Sequence, residues 1–221
     1  MPKQRSTRLS TLGTAIIQDN RARVKQLLKE HPSLVTQATS TSILAKAIPH
    51  WIYPGDTALH IAAMAHRPAM AKLLLEAGAD ARSVGWYRNA QPLHYAADGY
   101  VSGKSYDAKR QVQTIRLLLD AGAHVQARDK NGATPLHRAV RTRCAAAVEC
   151  LLVAGADPAA KNKPGSTAFH LAVQNTGHGG SGSAIAKSAQ REIIEAFLKH
   201  GASSSLKDAK GHSVMDQARS D

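Results

Sequence analysis

The sequence predicts an all-α solenoid of about six stacked helix–turn–helix repeats, degenerate end caps included, with two inter-helix insertions. Three observations carry that expectation. The helix opening Thr134-Pro135-Leu136-His137 recurs as Thr57-Ala58-Leu59-His60, Gln91-Pro92-Leu93-His94 and Thr167-Ala168-Phe169-His170, and Ser213-Val214-Met215-Asp216 is a degenerate last copy. An apolar helix ending before Gly-Ala recurs at Gly78, Gly122, Gly155 and Gly201. The two signals keep phase: His60 to Gly78 and His137 to Gly155 are 18 residues each, while Gly122 to His137 and Gly155 to His170 are 15 each, a unit of 33. Two short helices cannot bury their apolar faces alone, so each unit requires neighbours like itself.

The stretch from Asp129 to Asp157 is the most regular copy. Asn131-Gly132 signals a turn that tolerates positive φ. Thr134 can cap the helix that follows, and Pro135 fits its first position, where no backbone donor is needed. Leu136, Ala139 and Val140 form an apolar stripe at i, i+3 and i+4. A second helix starts near Ala145, and Gly155 ends it as a left-handed cap.

The remaining elements follow in order, on the expectation that residues 1–221 form one domain. Residues 1–8 read as a loose basic tail. Leu9–Gln18 and Ala22–Lys29 read as the two helices of an N-terminal cap, which with a long connection fills residues 9–53. Ile43–Ile48 fits a helical turn or a strand equally well. Four recognisable repeats occupy 54–207. The third carries about ten extra residues around Gly99–Tyr106, and the fifth 13 around Thr176–Ser183, a Gly/Ser-rich stretch that reads as a flexible loop. Residues 208–221 are a truncated C-terminal cap.

These recurring TPLH-like and LLxxGA-like motifs resemble those of the ankyrin repeat family, directly over about residues 54–221. The resemblance implies a stack of helix pairs joined by projecting turns, or fingers. It also implies a non-catalytic scaffold that holds another protein through its fingers and first helices. The matching variable positions are Tyr53 and Asp56; Tyr87, Arg88 and Ala90; Lys130, Asn131, Ala133, Arg141 and Thr142; and Lys163, Pro164, Ser166, Gln174 and Asn175. Gln91 departs from the usual Thr and weakens one cap.

Composition agrees with thin, closely packed helices: 43% of residues are hydrophobic but only 4% aromatic. The net charge of +13 favours an anionic partner. Cys144 and Cys150 are six residues apart on or near one helix, so their side chains diverge and cannot bridge. Two thiols without a disulfide framework suit a reducing, cytoplasmic setting. No apolar run is long enough to span a membrane, and the basic N-terminus lacks the apolar segment of a signal peptide.

Catalytic chemistry finds little support. His60, His94, His137 and His170 sit at equivalent places in repeats ~10 Å apart, whereas zinc ligands lie about 2 Å from the ion. They cannot share a metal, and their expected role is to link turn and helix backbone groups. Gly182–Ser188 faintly resembles a phosphate loop, but Ala186 stands where a glycine is required. The expectation is no enzyme, no cofactor and no metal.

Two distributions point to binding. All seven Trp and Tyr residues lie between Trp51 and Tyr106. Trp51 with Tyr53, and Trp86 with Tyr87, fall in neighbouring fingers and should adjoin in space, either as an anchor for a partner or as packing for the long connection. Basic pairs recur in successive fingers: Arg82 and Arg88, Arg128 and Lys130, Lys161 and Lys163, Lys207 and Lys210, with Arg138, Arg141 and Arg143 beside them. Solvated fingers often carry such residues, and a partner-binding stripe is the functional alternative. The partner site is therefore expected at Tyr53, Trp86, Tyr87, Arg88, Lys130, Asn131, Arg141 and Lys163, with another protein, an acidic one, as partner. Nucleic acid or another polyanion on the basic fingers is the alternative.

Overall fold

In the computed structural model, which describes residues 2–45, 50–99, 106–174 and 183–220, the chain is helical apart from one short hairpin. It divides into two compact units, Met1–Ala96 with Lys109–His124, and Ala97–Ala108 with Val125–Asp221.

The first unit opens with α1 (Pro2–Ile17) and α2 (Arg21–Glu30), separated by Asp19 in a left-handed conformation (φ 58°). Helix α1 starts earlier than expected and takes in residues 2–8, where the sequence predicts a loose tail. No Gly interrupts that segment, and Pro at the first turn is compatible with a helix. Asn20 caps α2 by accepting from Arg23 N at 3.0 Å. The long connection contains a 3-10 turn (Pro32–Val35) and an antiparallel hairpin, β1 (Ile43–Ala45) and β2 (His50–Ile52), with Ile43 opposite Ile52. This resolves Ile43–Ala45 as strand; residues 46–49 lie outside the described set. Helices α3 (Ala58–Met64), α4 (Pro68–Glu76), α5 (Pro92–Ala97) and α6 (Ala108–Asp120) follow. Leu12, Ile16, Val24, Leu59, Leu74, Leu93, Ile115 and Leu118 are fully withdrawn from water in this unit.

The second unit contains α7 (Pro135–Arg141), α8 (Ala145–Val153), α9 (Ala168–Val173), α10 (Ala184–Lys199) and α11 (Val214–Ser220). Its centre is Leu136, Val140, Val148, Leu151, Ile193 and the stacked pair Phe169 and Phe197, whose ring centroids are 4.7 Å apart.

The insertions alter helix length on one side only. Helices α4 and α8 have nine residues, whereas α6 has 13 and α10 has 16. All four end two residues before Gly78, Gly122, Gly155 or Gly201, each at positive φ. The extra turns of α6 and α10 therefore lie at their N-terminal ends. Ala184–Ser188, within the stretch that faintly resembles a phosphate loop, is helical, and Ser183 Oγ caps it by accepting from Ala186 N at 3.3 Å. The rest of both predicted loops, residues 100–105 and 175–182, lies outside the described residues.

Three of the motif histidines, His60, His137 and His170, hold neighbouring repeats together as expected. His60 Nδ1 accepts from Thr57 N at 3.1 Å and its Nε2 donates to Ala90 O at 3.0 Å. His137 Nε2 reaches Ser166 O at 3.1 Å, and His170 Nε2 reaches His212 O at 3.0 Å. Each ring thus ties the start of its helix to the following finger, and in His60, accepting at Nδ1 while donating at Nε2 requires the neutral imidazole. Burial pushes His60 from 6.5 down to about 4 and lowers His137 in the same direction.

Candidate partner-binding surface

The site residues expected from sequence fall into both units. In the first, Tyr53 follows β2 and Tyr87 lies in the next finger. Backbone pairing fixes the two fingers against each other: Tyr87 N donates to Pro54 O at 3.2 Å. The Tyr53 and Tyr87 rings stack with centroids 5.4 Å apart and planes within 7°. Trp86 meets Tyr87 edge-on at 6.4 Å, and the Arg88 guanidinium lies 4.8 Å over the Tyr53 ring. The expected adjacency is present, and it is a compact aromatic–cation cluster. Trp86 is 67% exposed and Tyr87 and Trp51 each 47%. The backbone of Trp86 crosses Gly55 so closely that a Cβ there would lie 2.3 Å from Trp86 N. Trp86 therefore packs its base on the neighbouring finger and presents most of its indole to water.

Asp56 organises the floor of this cluster. It is buried, whereas the family resemblance places it among the variable contact positions. Its carboxylate accepts from Tyr53 N at 2.8 Å and from Tyr95 Oη at 3.0 Å. Gly85 leaves the space: a Cβ there would lie 2.5 Å from Asp56 Oδ1. Burial pushes Asp56 from 3.8 up to about 6, against the lowering influence of these donors, His50 and Arg88. Ala90, also on the expected contact list, is buried as well.

In the second unit, Lys130, Asn131 and Lys163 are exposed at finger tips and Arg141 at the end of α7. Lys163 N donates to Asn131 O at 2.9 Å, which locks the two fingers together. Asn131, Arg141, Lys163, Pro164 and Leu171 line an open hollow of about 560 Å³, with Asp129 and Arg138 at its inner wall. Asp129 Oδ1 accepts from Asn131 N at 2.8 Å and Ala133 N at 3.0 Å, and Oδ2 pairs with Arg138. These donors outweigh the opposing effect of burial and hold the Asp129 carboxyl below its ordinary value. Arg138 Nη1 also lies 3.5 Å from Asp98 Oδ2, and Arg141 Nη2 lies 3.4 Å from the same oxygen.

The basic pattern needs correction. Arg138 and Arg143 are buried. Arg143 donates to Ala172 O at 3.0 Å and Gln174 O at 2.9 Å. Arg82 donates to Gly122 O at 2.6 Å, and Arg128 to Gly132 O at 3.1 Å. These four hold backbone carbonyls or a buried acid. Asp98 and Asp56 are two acids whose roles were likewise not expected from the sequence. For Asp56 the available signal was a charge where the regular copies have Ala133 and Ser166. Among the described residues no cluster of three or more metal-ligating side chains occurs, and no helix is long and apolar enough to cross a membrane.

Comparison with known proteins agrees with this repeat geometry. The model for ankyrin repeats (3 copies) matches residues 12–103 and again 104–208. Ankyrin repeat and SOCS box protein 6 is 36% identical in Mus musculus and 34% in Homo sapiens, each over 84 residues, 38% of this chain and 18% of that protein. Tyrosine-protein kinase Shark of Drosophila melanogaster is 37% identical over 96 residues, 43% of this chain and 9% of the kinase. The chain thus spans less than a fifth of the length of these relatives. Two matches that together cover most of the sequence, on helices closed by His-linked fingers, have one reading: the chain belongs to the ankyrin repeat family, whose repeats are general protein–protein interaction modules.

Proposed function

We propose that this chain is a non-catalytic scaffold that holds an acidic partner protein through its fingers. The contacts are Tyr53, Trp86, Tyr87 and Arg88 in the first unit and Lys130, Asn131, Arg141 and Lys163 in the second. The single observation that supports this most is the exposed Trp86–Tyr87–Tyr53 cluster, in a chain that is otherwise poor in aromatics. Aromatic rings with polar tips supply much of the energy in interfaces, and flanking charges speed encounter. Two buried free thiols fit a reducing, cytoplasmic location. The whole chain acts as one domain in this reading.

The test is capture of partners by the intact chain beside Trp86→Ala. A protein retained by the first and lost by the second is the partner, and Trp86→Ala costs about 2 kcal/mol or more, mainly through faster dissociation. Lys130→Glu combined with Lys163→Glu mainly slows association and weakens its salt dependence. Hydrogen-exchange protection confined to residues 99–106 and 177–183, with unchanged fingers, removes this reading. The net charge of +13 favours one alternative, polyanion binding. In that case affinity falls by orders of magnitude between low and physiological salt.

A further inference from the structure

The hollow of the second unit has a chemistry of its own. Its apolar lining is Ala133, the exposed Pro164 and the half-buried Leu171, and the exposed Arg141 and Lys163 stand beside them. The acids nearby do not offset those two cations equally. Asp129 has both oxygens committed, one to two backbone amides and the other to Arg138. It is 1% exposed at the side chain and cannot turn outward. Asp98 is different. One of its oxygens faces both Arg138 and Arg141, at 3.5 and 3.4 Å. Those distances are long for charge-assisted bonds, which close to about 2.7–2.9 Å. Arg138 keeps its paired bond to Asp129 without Asp98. Arg141 is 53% exposed at the side chain, so it can turn from Asp98 to a better acceptor, and Asp98, 13% exposed, keeps Arg138 at 3.5 Å.

We propose that this hollow is a receptor for a carboxylate side chain on an extended acidic segment of the partner protein, with Asp98 as an internal competitor for Arg141. The proposal rests on the reading of the chain as a protein-binding scaffold. The incoming carboxylate takes Arg141 in a forked pair and Lys163 as a point charge, the division of labour natural to the two side chains. An apolar neighbour on the same segment covers Pro164 and Leu171. Charge complementarity selects an acidic occupant. The one ring in the lining, His137, is buried and bonded to Ser166 O, so it offers no face to stack a base, which favours peptide over nucleic acid.

The experiment uses the full chain and a short labelled peptide of Glu and Leu, with a single-stranded oligonucleotide of equal charge and a Gln/Leu peptide beside it. Binding is followed by fluorescence anisotropy at low salt. The Glu/Leu peptide binds and the Gln/Leu peptide does not. Arg141→Gln and Lys163→Glu each weaken binding about tenfold. Asp98→Asn strengthens it about threefold, the scale of one exposed ion pair. That last gain is the distinguishing readout, since a purely structural Asp98 gives a loss. Arg141→Gln changes only an exposed side chain, so it reads the site even where Asp98→Asn folds poorly. Tighter binding of the oligonucleotide, no response to Arg141→Gln, or a loss with a folded Asp98→Asn overturns the proposal. If the hollow fails, Arg141→Gln leaves the peptide's affinity unchanged while Trp86→Ala still loses the captured partner; if the finger reading fails, Trp86→Ala keeps that partner, so the two failures give different patterns.

Discussion

Gln111 and Gln190 stand at the same place in two different repeats, each 11 residues before the glycine that ends its helix. Gln111 Nε2 donates to Ala96 O at 3.0 Å, and Gln190 Nε2 donates to Ala172 O at 2.9 Å. Both carbonyls lie near the C-terminal end of the first helix of the same repeat. Both also receive a donor from the preceding, uninserted repeat: His66 Nε2 reaches Ala96 O at 3.2 Å, and Arg143 Nη1 reaches Ala172 O at 3.0 Å. His66 and Arg143 share a left-handed backbone, at φ 47° and 61°. Each unit therefore pairs one regular repeat with one inserted repeat through a doubly satisfied helix end.

Replacing Gln111 by Leu tests the value of that arrangement. Gln111 is fully buried, and the change removes one of two donors from a buried carbonyl at a cost of about 1–2 kcal/mol. Gln190 is only half-buried, so Gln190→Leu costs less. Denaturant midpoints check this, and equal midpoints for Gln111→Leu and the parent chain contradict it.

Gly155 and Gly165 separate backbone strain from crowding. Both have positive φ, 84° and 90°. A Cβ at Gly155 meets nothing within 4 Å, whereas one at Gly165 would sit 2.1 Å from the Ala209 Cβ. Gly155→Ala then costs only the left-handed conformation, about 1–2 kcal/mol. Gly165→Ala costs distinctly more, because a finger must move. Gly155→Val, with a branched side chain, costs at least as much as Gly155→Ala. Urea unfolding of the three variants gives the order, and a tolerated Gly165→Ala refutes it.

Asp56 and His60 pull stability in opposite directions with pH. The folded value of Asp56 is raised from 3.8 to about 6, so between these values the native state binds the extra proton and stability falls as pH rises. His60 is lowered from 6.5 to about 4, so the unfolded state binds the extra proton and stability falls as pH drops through that window. Each effect is on the order of 3 kcal/mol, and they largely cancel. Asp56→Asn removes the first and leaves the second. The variant loses stability more steeply than the parent between about pH 6 and 4, the window those shifts define. Parallel pH profiles for the two chains overturn the assignment of Asp56.

Ser183→Ala tests the entry to α10. The hydroxyl is a helix cap at an exposed site, so its loss costs about 1 kcal/mol. A shortening of residues 177–182 that keeps Ser183 leaves cooperative unfolding intact, since loop length carries a small entropic weight. Calorimetry on both variants distinguishes a cap from an idle serine.

Much of the architecture was legible in the chain. Thr-Pro-Leu-His and the Gly-Ala endings name their own turns, caps and spacing, because those features depend on neighbours a few residues away. The adjacency of the Tyr53 and Tyr87 fingers was legible too, since repeat phase alone puts them side by side; the stacking of the two rings was not. What stayed hidden depends on distant partners. Nothing near Arg138 shows that Asp129 and Asp98 surround it, and nothing near Arg143 announces two carbonyls of the next repeat. Asp56 has the composition of an exposed turn residue, and only Tyr95 and the bare backbone of Gly85 make room for it inside. The lengthening of α6 and α10 was masked by polar composition, which serves a solvated helix as well as a loop.

The placement of the tryptophans has an optical consequence. Trp51 and Trp86 are the only two in the chain, both belong to the first unit, and they are 47% and 67% exposed. Their native emission is that of wetted indoles, red-shifted and open to quenching by iodide or acrylamide. Unfolding the core changes it little, so a melting curve followed at these wavelengths understates the transition and is silent on the second unit. Covering the fingers has the opposite signature, a blue shift with protection from quencher. The chain carries its own fluorescent probe, one tuned to occupancy of its surface instead of to the integrity of its interior.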